Sequence, residues 1–358
     1  VAIDQNAGIA LLDLTYSELE ELLLSLGEPS FRADQLYGWV YRSLVSRFQD
    51  MLNLPLSLRQ KLEDLVVLHL LTPAEAISSD SGLARKVLFA LRDGETVESV
   101  LLLYEDRRSV CVSTQVGCPV GCGFCATGQS GFVRNLSPGE IVEQVLFFAR
   151  ELKERDLEVT NVVFMGMGEP LLNYEATWRA VETLNDPRGF NLGARRMTIS
   201  TVGVVPGINR LSHEALQVGL AVSLHAPTDR LRRKLVPIAK RYPLSELMAA
   251  CHRYVERTGR RVTFEYALIQ GINDSLEQAA LLADLLSGLL CHVNLIPLNP
   301  TADSSWRPSG PDQVRAFHRE LRRRGINSTI RLRRGIGIEA GCGQLRSRRP
   351  ATEAEAGA

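Results

Sequence analysis

The sequence predicts an α/β fold: an open, partial (β/α)6 barrel preceded by a small helical accessory domain and a β-hairpin extension. Three observations carry this prediction. Apolar residues recur at helical spacing through 14–66. Two β-rich runs, 86–91 and 96–103, then flank Asp93-Gly94, a dipeptide that tolerates the positive φ of a tight turn. From residue 110 onward β-rich runs alternate with helical patterns, as in right-handed βαβ units around a parallel sheet.

The helical region reads as LTYSELEELLLSLG, RADQLYGWVYRSLV and LRQKLEDLV, with Gly27-Glu28-Pro29-Ser30 breaking the first helix from the second. Leu71-Thr72-Pro73 reads as the linker from this region to the hairpin. Barrel strands are predicted at 110–114, 159–165, 196–201, 218–224, 262–268 and 292–297, with a further strand at 328–332. Helices are predicted at 138–154, 174–184 and 244–258. The expected division is 1–75 accessory domain, 76–103 hairpin extension, 104–337 barrel core, and 338–358 a cysteine loop and tail. The closing ATEAEAGA is too small and polar to pack and reads as disordered.

A chain of 358 residues, 45% hydrophobic and 23% charged, has the composition of a soluble globular enzyme. Its formal net charge is zero, so a nucleic-acid surface must come from local clustering. The opening VAIDQNAGIA lacks a basic start followed by a long apolar run, so no secretory signal is expected. The longest apolar run, 279–298, holds Asp284 and His292 and reads as a buried helix followed by a strand, not a membrane span. Seven cysteines, unevenly spaced, do not suit a disulfide framework in so large a chain. They point to a cytoplasmic protein using a metal or a reactive thiol.

VGCPVGCGFCATG places Cys118, Cys122 and Cys125 just after the first barrel strand. Three thiolates from one loop can each hold one iron of a four-iron cluster, leaving the fourth iron open. Gly117, Gly121 and Gly123 let the backbone wrap closely, and Phe124 can shield one side. A structural zinc site is the alternative; it needs a fourth ligand, such as His225. Polar residues recur where barrel strands deliver groups to the mouth: Gly168 and Glu169, Ser200, Ser223-Leu224-His225, and Asn299. Taken singly, each reads as an ordinary strand-end residue. Cys342 lies in the glycine-rich RRGIGIEAGCGQL, which reads as pliable, and Cys111 sits on the first strand. On residue type alone Cys111 is a buried hydrophobe and Cys342 stays undecided.

The Cys-x3-Cys-x2-Cys spacing is similar to that of the radical S-adenosylmethionine superfamily. VCVSTQVGCPVGCGFCATGQSGFVRNL, FMGMGEPLLN, STVG, SLHAP, LIPLNP and GCGQL resemble, in order, the blocks of the RlmN family, and FRADQLYGW and LPLSLRQKL resemble its accessory domain. The resemblance implies a [4Fe-4S] cluster on Cys118, Cys122 and Cys125. It implies S-adenosylmethionine, two molecules per turnover, contacted by Gly168, Glu169, Ser200, Ser223, Leu224, His225 and Asn299. The implied activity is methylation of carbon 2 of adenosine in 23S rRNA and, beside the anticodon, in tRNA. Carbon 2 of adenine is too electron-poor to attack a methyl sulfonium. The family therefore implies that Cys342 is methylated first, that a 5′-deoxyadenosyl radical then takes hydrogen from the S-methyl group, and that the carbon radical adds to the ring. Proton loss at the ring and attack by Cys111 on Cys342 then release methyladenosine and leave a Cys111–Cys342 disulfide that needs reductant. Glu98 matches a proton acceptor of the family; its plain alternative is a solvent-facing hairpin residue. An electron donor such as flavodoxin or ferredoxin, a monomeric state and no membrane association are also implied.

Basic residues at Arg230, Arg232, Arg233, Lys234, Lys240 and Arg241, and again at Arg322, Arg323, Arg324, Arg331, Arg333 and Arg334, can follow an RNA backbone into the barrel mouth. The helical region is expected to act as a second RNA clamp. Cys251 and Cys291 match nothing catalytic and read as core. A Cfr-like enzyme acting on carbon 8 shares these motifs. A methylthiotransferase would need a second cysteine triad, and a non-catalytic metal-containing RNA-binding module would release no 5′-deoxyadenosine.

Overall fold

A computed structural model describes residues 8–301, 305–331 and 335–347. The closing ATEAEAGA, Arg333 and Arg334 lie outside the described residues. Strand β1 (Ile9–Ala10) opens the accessory region, followed by helices α1 (Tyr16–Ser25), α2 (Phe31–Tyr37) and α3 (Leu56–Leu65) and by β2 (Val66–Val67), which pairs with β1 in parallel. Thr15 caps α1 reciprocally with Glu18, the S/T-x-x-E signature that LTYSE carries. The region is not helical throughout. After α2 the backbone widens into a π turn, Gly38–Arg42, and the stretch up to Pro55 holds only a short 3-10 turn, Phe48–Asp50.

The main sheet has ten strands. Three are antiparallel: β3 (Leu71–Ser78), β4 (Ala84–Leu91) and β5 (Thr96–Leu103). The expected hairpin is β4 and β5, but a third strand precedes it, and β5 pairs with the first barrel strand, β6 (Arg108–Cys111). Leu71-Thr72-Pro73 is therefore the start of β3 and not a linker. The register shifts between Pro73 and Glu75, and β3 is the edge of the sheet, where a proline removes no ladder bond.

A small hairpin, β7 (Gln115–Gly117) with β8 (Phe132–Asn135), brackets the cysteine loop and the short helix α4 (Ala126–Gln129). Helix α5 (Pro138–Lys153) follows, started by a capping box between Ser137 and Glu140 with proline in its first turn. Strands β9 (Asn161–Phe164), β10 (Met197–Thr201), β11 (Gly219–Ser223), β12 (Val262–Leu268) and β13 (Cys291–Pro297) continue the parallel series from β6, and β14 (Ser328–Ile330) closes it. Between them run α6 (Tyr174–Asn185), α7 (Val205–Leu211), α8 (Asp229–Leu235), α9 (Leu244–Thr258) and α10 (Leu276–Leu285), and α11 (Pro311–Arg323) precedes β14. The predicted partial barrel is present. Strand β6 ends at Cys111 rather than at 114, and β9 is shorter at both ends. Val112 and Thr114 still donate to Val163 (3.0 Å) and Met167 (2.8 Å), so the chain past β6 stays tied to β9 and its loop. No helix among the described residues is long and apolar enough to cross a membrane.

Candidate active site

The site is built at the carboxyl ends of the parallel strands, where backbone groups and side chains leave the ladder and face the mouth. Strand β7 feeds the cysteine loop, and β8 takes the chain away. Cys118 N donates to Gly131 O at 2.7 Å, pinching the loop shut at its base. A Cβ at Gly117, whose φ is +73°, would lie 2.0 Å from that same oxygen, so only glycine fits. The loop is then positioned by the hairpin as a unit.

Cys118, Cys122 and Cys125 line one cavity together with Gly168, Glu169 and Ser200. Ser223, His225 and Asn299 line its far wall. Leu224 stands behind that wall, fully buried, with its carbonyl accepting from Arg232 Nε at 3.2 Å. Burial pushes the Cys118 thiol up to about 12 and the Cys122 thiol well above the ordinary range, and raises Cys125 against the opposing pull of the Gly128 and Thr127 hydrogen bonds. Among the described residues no three His, Cys, Asp or Glu side chains converge as they would on one ion. A cluster does not ask for that convergence, because each thiolate takes its own iron.

The cavity also offers groups for a zwitterionic ligand. Glu169 is buried, and its carboxylate accepts from Val202 N at 2.8 Å and Leu171 N at 3.1 Å. Burial raises its pKa to about 7 despite these bonds. Asn299 Oδ1 is buried with no hydrogen-bond partner among the described residues, while its Nδ2 donates to Cys342 O at 3.1 Å. His225 has a positive φ of 60° and its Nδ1 accepts from Ala267 N at 3.0 Å, which leaves the proton on Nε2. Burial first, and Arg232 second, depress its pKa to about 3, so the ring is neutral. The Phe124 ring meets it edge-on at 4.9 Å.

A second, smaller cavity adjoins the first and shares Met165, Asn299, Arg331 and Cys342 with it. Cys111 and Tyr104 line this second space. The structure thus brings Cys111 and Cys342, remote in sequence, to one cavity; all seven cysteines are free thiols. Burial, then the neighbouring Cys342, pushes the Cys111 thiol up to about 12.

Glu98 lines neither cavity, and it is not solvent-facing: it is 2% exposed. Its carboxylate pairs with Lys86 Nζ at 2.9 Å and accepts from Arg346 N at 2.9 Å, at the far end of the Cys342 loop. Hydrogen bonds tie that loop to the cysteine loop and to the exit of β13. Ala126 N donates to Gly343 O (2.8 Å), Gln344 Nε2 to Pro300 O (2.9 Å) and Thr127 Oγ1 to Leu345 O (2.5 Å).

Two basic residues expected on the RNA-facing surface are elsewhere. Arg232 is fully buried behind β10 and β11, donating to Leu224 O and to Val202 O at 2.5 Å, so it ties strand-end loops together. Arg331 follows β14 and lines both cavities. Sequence reasoning missed its place, and that of Met165; the signal was position, since both fall at the carboxyl ends of strands.

Comparison with known proteins agrees with this geometry. Residues 9–68 match the ribosomal RNA large subunit methyltransferase N-terminal domain, and residues 112–283 match the radical SAM superfamily. A probable dual-specificity RNA methyltransferase RlmN from Frankia casuarinae is 52% identical over 96% of this chain and 85% of its own. Its counterpart of the same description from Chloroflexus aurantiacus is 51% identical over 94% and 93%. The crystal structure of a radical SAM methyltransferase from Sphaerobacter thermophilus is 54% identical, covers 94% of this chain and 99% of its own, and superposes with a TM-score of 0.93. The chain with the three-thiol loop, the carboxylate-lined mouth and the paired thiols beside it belongs to the RlmN family of radical S-adenosylmethionine methyltransferases.

Proposed function

We propose that this protein methylates carbon 2 of an adenosine in 23S rRNA and of the adenosine beside the anticodon in tRNA, through an S-methylated Cys342. The observation that supports this most is the shared cavity of Cys111 and Cys342, which opens onto the space lined by the three loop thiols. Cys118, Cys122 and Cys125 are the residues to hold the cluster. When bound, the cluster and S-adenosylmethionine supply the methyl group, an electron and the abstraction of hydrogen.

The chain's own residues do the rest. Gly168 and Glu169 receive the amino group of S-adenosylmethionine, and Ser200, Ser223, His225 and Asn299 orient the remainder, with Leu224 contributing backbone. Cys342 accepts the methyl group at sulfur. Cys111 attacks Cys342 Sγ once the base is linked, and a reductant resets the resulting disulfide, which suits the cytoplasm. Glu98, which the family resemblance makes the proton acceptor, lines neither cavity; its carboxylate pairs with Lys86 and holds the end of the Cys342 loop at Arg346 N. The protein acts as a monomer with an electron donor such as flavodoxin or ferredoxin. Solvated cations such as Arg230 and Arg233 and the accessory helices hold the RNA by its phosphates and shape.

Nucleoside analysis of a deletion strain tests the activity. The strain is expected to lose 2-methyladenosine from rRNA and tRNA and to regain it with the wild-type gene but not with Cys342→Ala. Loss of 8-methyladenosine instead would assign carbon 8. A further expectation concerns pH. The Glu169 carboxyl, raised to about 7, must be ionised to hold an ammonium group. Affinity for S-adenosylmethionine is therefore expected to fall as pH drops through about 7, by up to about tenfold per unit, and to be weak and flat in Glu169→Gln. Equilibrium dialysis on cluster-loaded protein checks this, and an equally flat wild-type profile would remove Glu169 from the site.

A further inference from the structure

We propose that Arg331 contacts the substrate base: its guanidinium donates a hydrogen bond to a ring nitrogen of the target adenine, next to the carbon that takes the methyl group. This rests on the activity proposed above. The backbone fixes where the side chain starts. Arg331 N donates to Leu295 O of β13 at 2.9 Å, so the residue stands at the carboxyl end of the last strand pair, at the mouth.

The head group is in the wrong place for a structural cation. Arg331 lines the thiol cavity together with Cys111 and Cys342 and the apolar Leu102, Met165 and Ile296. Only a quarter of its side chain is exposed. Its ion-pair partner among the described residues is Glu265, at 3.8 Å, beyond hydrogen-bond length. Glu265 itself accepts from Asn294 Nδ2 at 2.9 Å. Glu265 is too far away to take a short hydrogen bond from the guanidinium, so its N–H groups can turn to an acceptor that a bound ligand supplies. Guanidinium donates five N–H groups and accepts none. The ring nitrogens of adenine are acceptors.

A base brought to both thiols shares the cavity with Arg331. A hydrogen bond to N1 or N3 draws electron density from carbon 2 between them, which favours addition of an electron-rich carbon radical there. The same contact fixes which edge of the base faces Cys342. A phosphate would also suit a guanidinium, but the apolar walls of this cavity fit the flat ring of a base better than a solvated anion.

The test uses full-length, cluster-loaded protein and short RNA hairpins carrying adenosine, 1-deazaadenosine or 3-deazaadenosine at the target. Arg331→Gln is expected to lower kcat/KM on the adenosine RNA roughly ten- to a hundredfold, the loss of a charged hydrogen bond. Methylation of Cys342 without RNA is measured beside it, so that a loss at that earlier step is told apart from a loss on RNA. One of the two deaza RNAs should slow the wild type and slow Arg331→Gln no further. Arg331→Lys, which keeps charge and a donor, should recover part of the rate. Losses that multiply for both deaza RNAs would place the contact on phosphate or make it structural, and overturn the proposal. Loss of Cys342 methylation in both Arg331→Gln and Arg331→Lys would overturn it likewise. Failure of the wild type to produce methyladenosine from the adenosine RNA would overturn the activity, and Arg331's role with it.

Discussion

Cys118→Ala, Cys122→Ala and Cys125→Ala are each expected to abolish reductive cleavage of S-adenosylmethionine, and the triple variant to bind none of the about four irons that the reconstituted wild type carries. The three thiols line one cavity, and the loop that carries them is closed at its base where Cys118 N meets Gly131 O, so the three are presented together. Burial raises the pKa of all three thiols. Iron must therefore displace their protons, and cluster assembly is expected to release protons and to proceed better as pH rises. Iron and sulfide analysis with an assay for 5′-deoxyadenosine checks both parts. Stoichiometric zinc with no iron uptake, or full cleavage by the triple variant, would sink the assignment.

Cys111→Ala is expected to stop turnover at a covalent RNA–protein adduct. In the proposed mechanism Cys111 acts after the base is joined to Cys342, so its loss is expected to leave cluster and Cys342 methylation intact. The raised pKa of its thiol has the right sign for this order. A neutral thiol is a poor nucleophile, so Cys111 does not attack before its proton is removed. The adduct should run as a shifted band that nuclease removes, approaching one per active site. The double variant Cys111→Ala, Cys342→Ala should form none, because the linking sulfur is gone. Normal turnover in Cys111→Ala would return Cys111 to the core, and an adduct in the double variant would move the link to another residue.

Much of the barrel was legible because strand and helix periods differ clearly. VTFEYAL at 262–268 is both the predicted and the observed strand β12. The first strand was overdrawn because Val112 to Thr114 remain buried and β-like in composition after the β6 ladder ends. Strand β3 was missed because Pro73 reads as a breaker, and only its place at the sheet edge makes it tolerable. In the site, the three loop cysteines announced themselves by spacing. Arg331 and Arg232 did not: a run of basic residues carries no sign of which member turns inward. Glycine content around Cys342 suggested a mobile loop, whereas the bonds that hold it come from side chains remote in sequence, Asn299, Thr127 and Glu98.

Those bonds set a clock. With hydrogen bonds to the backbone on both sides of Cys342, the smallest motion open to its sulfur is rotation about the single Cα–Cβ bond of the cysteine. Side-chain rotation is completed in picoseconds to nanoseconds, whereas loops rearrange in nanoseconds to microseconds. In the mechanism proposed above, that rotation would let the sulfur change neighbours faster than a loop rearrangement could, and the pace of the cycle would then fall to chemistry, RNA binding or reduction.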